Sequence, residues 1–154
     1  MELSRVACAS WGIKKDSYYA GVEELVSKGY LVPIYVGSNI YKFYETIGWN
    51  KELGLSAQEL LFAMKGSFHC IFVYDDEKLI ATGRLISDGV TNAYMCGIGV
   101  LPEYQNHGLG REIVNKLSQF AKDHSLKLQF ICTEEMKPYY EKIGFTTFGA
   151  GMKL

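Results

Sequence analysis

The 154-residue sequence predicts a mixed α/β domain: a mostly antiparallel sheet with helices on its faces. Three observations predict it. Short apolar runs at residues 68–74, 78–86 and 93–100 are separated by the charged turn Asp75-Asp76-Glu77 and by Ser87-Asp88-Gly89, a pattern of consecutive hairpins. The third run leads through Gly108 and Gly110 into a segment whose Leu109, Ile113, Leu117, Phe120 and Ala121 share one helical face. An apolar run at residues 126–132 follows, so a strand–helix–strand crossover completes a mixed sheet.

Taken in order, residues 1–15 carry little pattern. From Asp16 a helix is expected, with Tyr18, Val22, Leu25 and Val26 near helical spacing and Gly29 at its end. Residues 31–36 read as a strand stopped by Gly37, with Pro33 marking an edge or a bulge. Ser38 or Asn39 then caps a helix through Tyr41, Tyr44 and Ile47 to Trp49. Ser56 with Glu59 three residues on forms a capping box for a helix ending at Lys65. Late in the chain, residues 126–132 read as a buried strand and residues 137–143 as a short helix closed by Gly144. Residues 145–154 read as one further strand or two. The expected division is an added N-terminal element at 1–30, packed on the same domain, followed by a core domain at 31–154.

Composition narrows the function. Sixteen basic and seventeen acidic side chains leave a net charge of −1, with no basic excess to neutralise a phosphate backbone, so nucleic-acid binding is not expected. No apolar run approaches the ~20 residues needed to span a bilayer, and no membrane role is expected. Residues 6–13 are mildly apolar but are broken by Trp11-Gly12 and lack a basic leader, so no signal peptide is read there. The four cysteines, Cys8, Cys70, Cys96 and Cys132, form no CxxC pair, and three lie in apolar strand-like runs. That usage suits a reducing compartment, with the cytoplasm as default, and offers no metal-ligand spacing.

The chemistry concentrates at residues 93–114. A strand ending at Pro102, a glycine turn and an immediate helix aim unpaired backbone N–H groups at one point, where the helix dipole favours an anion. Glycine suits the turn because a Cβ would hold a phosphate away from those donors. A Walker loop is excluded, since Arg111 and Glu112 follow Gly110. A dinucleotide fingerprint would need glycine where Ile113 stands. What remains is Gln105-Asn106-His107-Gly108-Leu109-Gly110, a Q/R-x-x-G-x-G/A pattern preceded by Val100, Pro102, Glu103 and Tyr104. With Tyr139-Tyr140-Glu141-Lys142-Ile143-Gly144-Phe145, close to an F-Y-E-K-x-G-F signature, the chain from about residue 31 onward resembles the GNAT superfamily of N-acetyltransferases.

That resemblance implies a GNAT fold with a splayed pair of strands, acetyl-CoA as co-substrate, and direct transfer to a primary amine in a ternary complex. The diphosphate would rest on Gln105, Asn106, His107, Gly108, Leu109, Gly110 and Arg111. His107 would add charge beside a phosphate, and Arg111 either grips a phosphate oxygen or pairs with an acid. Gly97 and Gly99 within one strand mark a bulge or a close approach of another molecule. By resemblance the main chain of Ile98, Gly99 and Val100 would hold the pantetheine arm, and an N–H there would polarise the acyl carbonyl. Tyr140 falls on the tyrosine that in many members protonates the departing sulfur, a fit role for a phenol with pKa near 10. Tyr139 and Phe145 read as core.

One departure stands out: many relatives carry an acid late in this strand, where Gly97 stands here. Asp88, Glu134 and Glu135 are the other carboxylates in range, and none is assigned as general base. Tyr41, Phe43, Tyr44 and Trp49 crowd the helices that flank the acceptor site in this fold, and Trp49 and Asp88 are the substrate-side residues singled out. Residues 41–49 with Gly83-Arg84 and Asp88-Gly89 resemble the small-molecule amine branch. A protein N-terminal or lysine acetyltransferase, a non-catalytic acetyl-CoA sensor, and a homodimeric assembly stay open at this point. No metal is called for.

Overall fold

The structure, a computed structural model, describes residues 5–10, 33–75 and 78–154. The elements are β1 Arg5–Ser10, α1 Pro33–Thr46, α2 Asn50–Leu53, α3 Ala57–Lys65, β2 His69–Asp75, β3 Lys78–Ser87, β4 Asn92–Val100, a 3₁₀ turn Pro102–Tyr104, α4 Leu109–Asp123, β5 Lys127–Gln129 and α5 Lys137–Lys142. The strands lie in the order β1-β2-β3-β4-β5. The first four pair antiparallel, and β5 runs parallel to β4 after the α4 crossover. The helix expected between Asp16 and Gly29, the strand start at Leu31 and the Asp76-Glu77 part of the charged turn lie outside the described residues.

Helices cover both faces of the sheet. Gly83 of β3 faces Ile113 and Leu117 of α4, while Arg84, the next residue, bonds Ala63 of α3 and Ser67 just beyond it. Successive strand residues point to opposite faces, so α4 and the α1–α3 pair sandwich the sheet. Leu109, Ile113, Val114, Leu117 and Ala121 bury one stripe of α4, and Ile40, Phe43, Tyr44, Leu60 and Met64 bury the other layer. The capping box forms as expected: Ser56 Oγ accepts from the Glu59 amide, and the Glu59 carboxylate accepts from the Ser56 amide at 2.8 Å.

Several sequence expectations are corrected. Residues 33–36 open α1 instead of ending a strand, because a proline's fixed φ suits the first helical turn and its missing N–H costs nothing there. Gly37 lies inside that helix, where a Cβ would stand 3.4 Å from the Ala57 carbonyl and 3.5 Å from Leu61; it lets α1 and α3 approach closely. The helix expected to reach Trp49 stops at Thr46, since Gly48 takes φ +82° and the chain restarts at Asn50. Residues 5–10, read as patternless, pair antiparallel with β2 from His69 to Tyr74 through backbone bonds.

The run at 126–132 is a strand only over Lys127–Gln129, and only Leu126 of it is buried: Ile131 is 64% exposed and Cys132 is exposed. Residues 145–154 form no strand and are largely exposed. Gly149 and Gly151 in this stretch weaken extended pairing.

Candidate active site

The β3–β4 pairing is interrupted at one place. Thr82 pairs with Gly99 and Arg84 with Cys96, so Gly97 and Ile98 together oppose Gly83. Gly97 adopts φ +62°, the left-handed conformation that a bulge glycine supplies without steric cost. On its other side β4 pairs with β5 only from Asn92 to Tyr94. Beyond Tyr94 the two strands part, and no described strand pairs with that edge of residues 95–100. Gln105 Nε2 donates to the Val100 carbonyl at 3.0 Å at the far end of this edge.

The glycine turn is built as a set of donors. Asn106 and Gly108 take φ +64° and +85°, which reverses the chain into α4. The first bond of the helix runs from the Glu112 amide to the Gly108 carbonyl at 3.0 Å, and Gly108 provides no side-chain cap. Among the described residues the amides of Asn106, His107, Gly108, Leu109, Gly110 and Arg111 have no protein acceptor. Gln105 to Gly108 and Arg111 are exposed, whereas the Leu109 side chain is buried and only its amide is available. The approach to the turn is pinned from outside: Tyr104 Oη donates to Asp75 at 2.8 Å and Lys78 pairs with Glu103 at 2.7 Å. The result is a cluster of N–H donors at the open end of the β4–β5 gap, where the helix dipole favours negative charge.

The two tyrosines of α5 separate. Tyr139 brings its hydroxyl to 3.9 Å from where a Cβ on Gly110 would stand, and Val100 Cγ2 is 3.8 Å from the same point. Burial raises the pKa of Tyr139 and the nearby Arg111 charge opposes the rise. This corrects the reading of Tyr139 as core: its hydroxyl faces the donor turn. Tyr140 packs with ring-centroid distances of 4.5 Å to Phe130 and 6.0 Å to Phe145. Burial, then Tyr139 and Cys132, raise its pKa, so its proton is held firmly at neutral pH. Tyr140 also lines a cleft of about 440 Å³ with Cys132, Lys137 and Phe145, and neither β4 nor the donor turn contributes to its wall.

On the α1 side, Gly99 lies under an aromatic wall. A Cβ there would be 2.9 Å from Trp49 Cη2 and 3.2 Å from both Ile47 and Phe43. Trp49 and Tyr44 meet edge-to-face at 5.2 Å. Phe43 and Tyr44 are buried and belong to the core. Asp88 sits at the opposite end of β4, in the β3–β4 turn. Its carboxylate accepts from the amides of Val90 and Thr91 and from the Thr91 hydroxyl, which pull its pKa down to about 2. Among the described residues no three His, Cys, Asp or Glu side chains converge as a metal site, and no helix is long and apolar enough to cross a membrane. Sequence reasoning named Gly83-Arg84 but gave Arg84 no role; the residue reaches the underside of the bulge, and its signal was a cation inside an otherwise apolar strand run.

Known proteins share this fold. The model of the acetyltransferase (GNAT) family matches residues 34–145. The chain is 30% identical over 79 residues to "GCN5-related N-acetyltransferase 2, chloroplastic" from Arabidopsis thaliana, a match covering 51% of this chain and 31% of that relative's length. Its fold is similar to a Staphylococcus aureus protein described as a probable acetyltransferase, with TM-score 0.66, 22% identity, and 77% of this chain and 92% of the other covered. It is also similar, with TM-score 0.59 and 14% identity over 80% of this chain and 92% of the other, to a predicted acetyltransferase from Clostridium acetobutylicum whose crystal structure is with acetyl-CoA.

Proposed function

The chain belongs to the acetyltransferase (GNAT) family, and from that premise we propose that it transfers the acetyl group of acetyl-CoA to the amine of a small molecule by direct attack in a ternary complex. One observation carries the reading: six consecutive amides with no acceptor among the described residues stand at the N-terminus of α4, beside the strand edge that β5 leaves unpaired. A diphosphate has the charge and the acceptor atoms such a pole would hold. Gly110 leaves the approach clear.

Bound acetyl-CoA would supply the activated acyl group. In this reading the amides of residues 106–111 hold the diphosphate, with His107 and Arg111 adding charge from exposed positions. The main chain of Ile98, Gly99 and Val100 orients the pantetheine arm and offers an N–H to the acyl oxygen. Tyr140 keeps a proton at Oη for the leaving sulfur, a role that its raised pKa supports. Trp49 shapes the acceptor side from beneath Gly99. The cytoplasm is the proposed location, with a reducing chloroplast interior the alternative raised by the Arabidopsis relative's name.

A second reading, a sensor that binds acetyl-CoA without turning it over, draws support from Gly97, which leaves the bulge without a carboxylate. Melting and thiol release separate the two. Acetyl-CoA at ~100 times its dissociation constant should stabilise the fold by roughly 2.7 kcal/mol, and no shift at all would dismiss both readings. A shift accompanied by thiol release on adding small amines supports the enzyme. Tight binding with silence across amines and peptides supports the sensor.

A further inference from the structure

Arg84 presents an unmet charge under the β4 bulge. Its Nη1 donates to the Ala63 carbonyl and to Ser67 Oγ, both at 3.1 Å. Its Nε is buried and has no acceptor. Among the described residues the ion pairs are Lys78–Glu103 and Lys116–Glu112, so no carboxylate neutralises this guanidinium. A buried N–H without an acceptor destabilises the fold, and an uncompensated charge does so more.

The space beside Nε is the one that Gly97 leaves open. A Cβ on Gly97 would stand 3.6 Å from Arg84 Nε, 3.6 Å from its Cγ and 3.5 Å from the Tyr44 hydroxyl. Those are ordinary contact distances, so an atom fits there without displacing anything. Two donors therefore flank the one carbon's width that Gly97 leaves: the Nε edge of a permanent cation, and a phenol that burial keeps protonated. The Cys96 thiol borders the same charge; burial pushes its pKa up, and the charge of Arg84 and a side-chain hydrogen bond with it pull it down, so part of the guanidinium is met by this weak acceptor. Arg84, Cys96 and Gly97 each retain partial exposure, whereas Nε itself is closed to solvent, so a ligand reaches it only as the side chains around it shift.

We propose that the acceptor carries its own carboxylate beside the amine, and that this carboxylate seats on the Nε edge of Arg84 in the room left by Gly97. The inference rests on the acetyltransferase reading and adds the substrate class, amino acids in place of simple amines. A guanidinium offers its side edge as two parallel donors, which matches the two oxygens of a planar carboxylate. The counter-ion that the described residues do not supply at the bulge would arrive with the substrate. Trp49 and the Gly99 backbone give the same region an apolar wall, which suits an uncharged side chain on that amino acid.

The test uses the full chain, acetyl-CoA and matched acceptors: phenylalanine with phenethylamine, tyrosine with tyramine, leucine with isopentylamine, each read by thiol release. At least one amino acid is expected to exceed its decarboxylated partner by ~10²-fold in kcat/KM, the scale of discrimination available to a site built around a polar group. In Arg84→Gln the ratio should collapse toward 1; comparing ratios cancels the different basicities of the two amines. Gly97→Asp provides a second route. Aspartate tolerates positive φ, would give Arg84 an internal partner, and should abolish the preference while raising the melting temperature. A wild-type preference for the plain amines overturns the proposal, as does a preference that survives both substitutions. So does the absence of both turnover and a melting shift with every amino acid on the CoA-loaded protein. If acetyl-CoA itself gives no melting shift, the acetyltransferase reading falls, and this one falls with it.

Discussion

Gly83 of β3 lies directly beneath Ile113 of α4: a Cβ on Gly83 would be 2.5 Å from Ile113 Cγ2 and 2.7 Å from Ile98 Cδ1. This close approach seats the helix whose first turn forms the donor pole. It also sits opposite the two-residue bulge in β4. Gly83→Ala should force α4 off the sheet and cost ~1–3 kcal/mol by overpacking. Urea unfolding should show the loss, and acetyl-CoA affinity should fall in the same variant. An unchanged urea midpoint would mean that the helix has room to move.

Gly110 differs from Gly108 in what an added methyl would meet. Around Gly110 the nearest atoms to a Cβ are 3.8 and 3.9 Å away, so Gly110→Ala should fold with its unliganded melting temperature intact. Its methyl would nevertheless crowd the amide pole, and stabilisation by acetyl-CoA should drop sharply. Gly108 has φ +85°, so Gly108→Ala should lose ~1–2 kcal/mol before any ligand is added. A calorimetric scan of each variant with and without acetyl-CoA distinguishes the two effects.

Tyr140→Phe removes the proposed proton donor and keeps the ring packed on Phe130 and Phe145. Turnover should fall ~10²-fold with acetyl-CoA affinity unchanged. Because the pKa of Tyr140 lies above its ordinary value of 10.0, the wild-type enzyme should show no loss of kcat from this group as pH rises through 9. Equal turnover in the variant would remove Tyr140 from the mechanism and turn attention to Tyr139 at the donor turn.

His69 is 5% exposed, and its ring stacks on Phe120 at 3.8 Å with 13° between the planes. Burial, and then the charge of His124, lower its pKa from 6.5 to about 4. The folded protein therefore binds fewer protons here than the unfolded chain between those values. The stability tied to neutral His69 is complete above pH 6.5 and is lost as pH falls toward 4, a change of roughly 3 kcal/mol in total. Urea midpoints between pH 7.5 and 4 should decline, and His69→Phe should flatten the decline. A wild-type slope that the substitution leaves intact would assign the acid sensitivity to other groups.

Elements with a local signature were legible in the chain. The capping box at Ser56 and Glu59, the β2–β3–β4 hairpins, the apolar stripe of α4 and the spacing of Gly108 and Gly110 each follow from neighbours within a few residues. Pro33 and Gly37 misled for the complementary reason. Each is compatible with a strand or a helix, and the packing of α1 against α3 decided between them. The pairing of β1 with β2 has no local signature, because it joins backbones more than fifty residues apart.

What the chain by itself determined was the fold class, the donor turn and the tyrosine motif, since periodicity, glycine placement and motif spacing are written along a line. Only the folded molecule decided that Tyr139 faces the turn while Tyr140 packs against Phe130, and that Arg84 meets the gap at Gly97 without a counter-ion among the described residues. Those relationships join separate elements across the sheet. They depend on a bulge that shifts register by one residue and on a splay that leaves one strand edge unpaired, neither of which any single segment specifies.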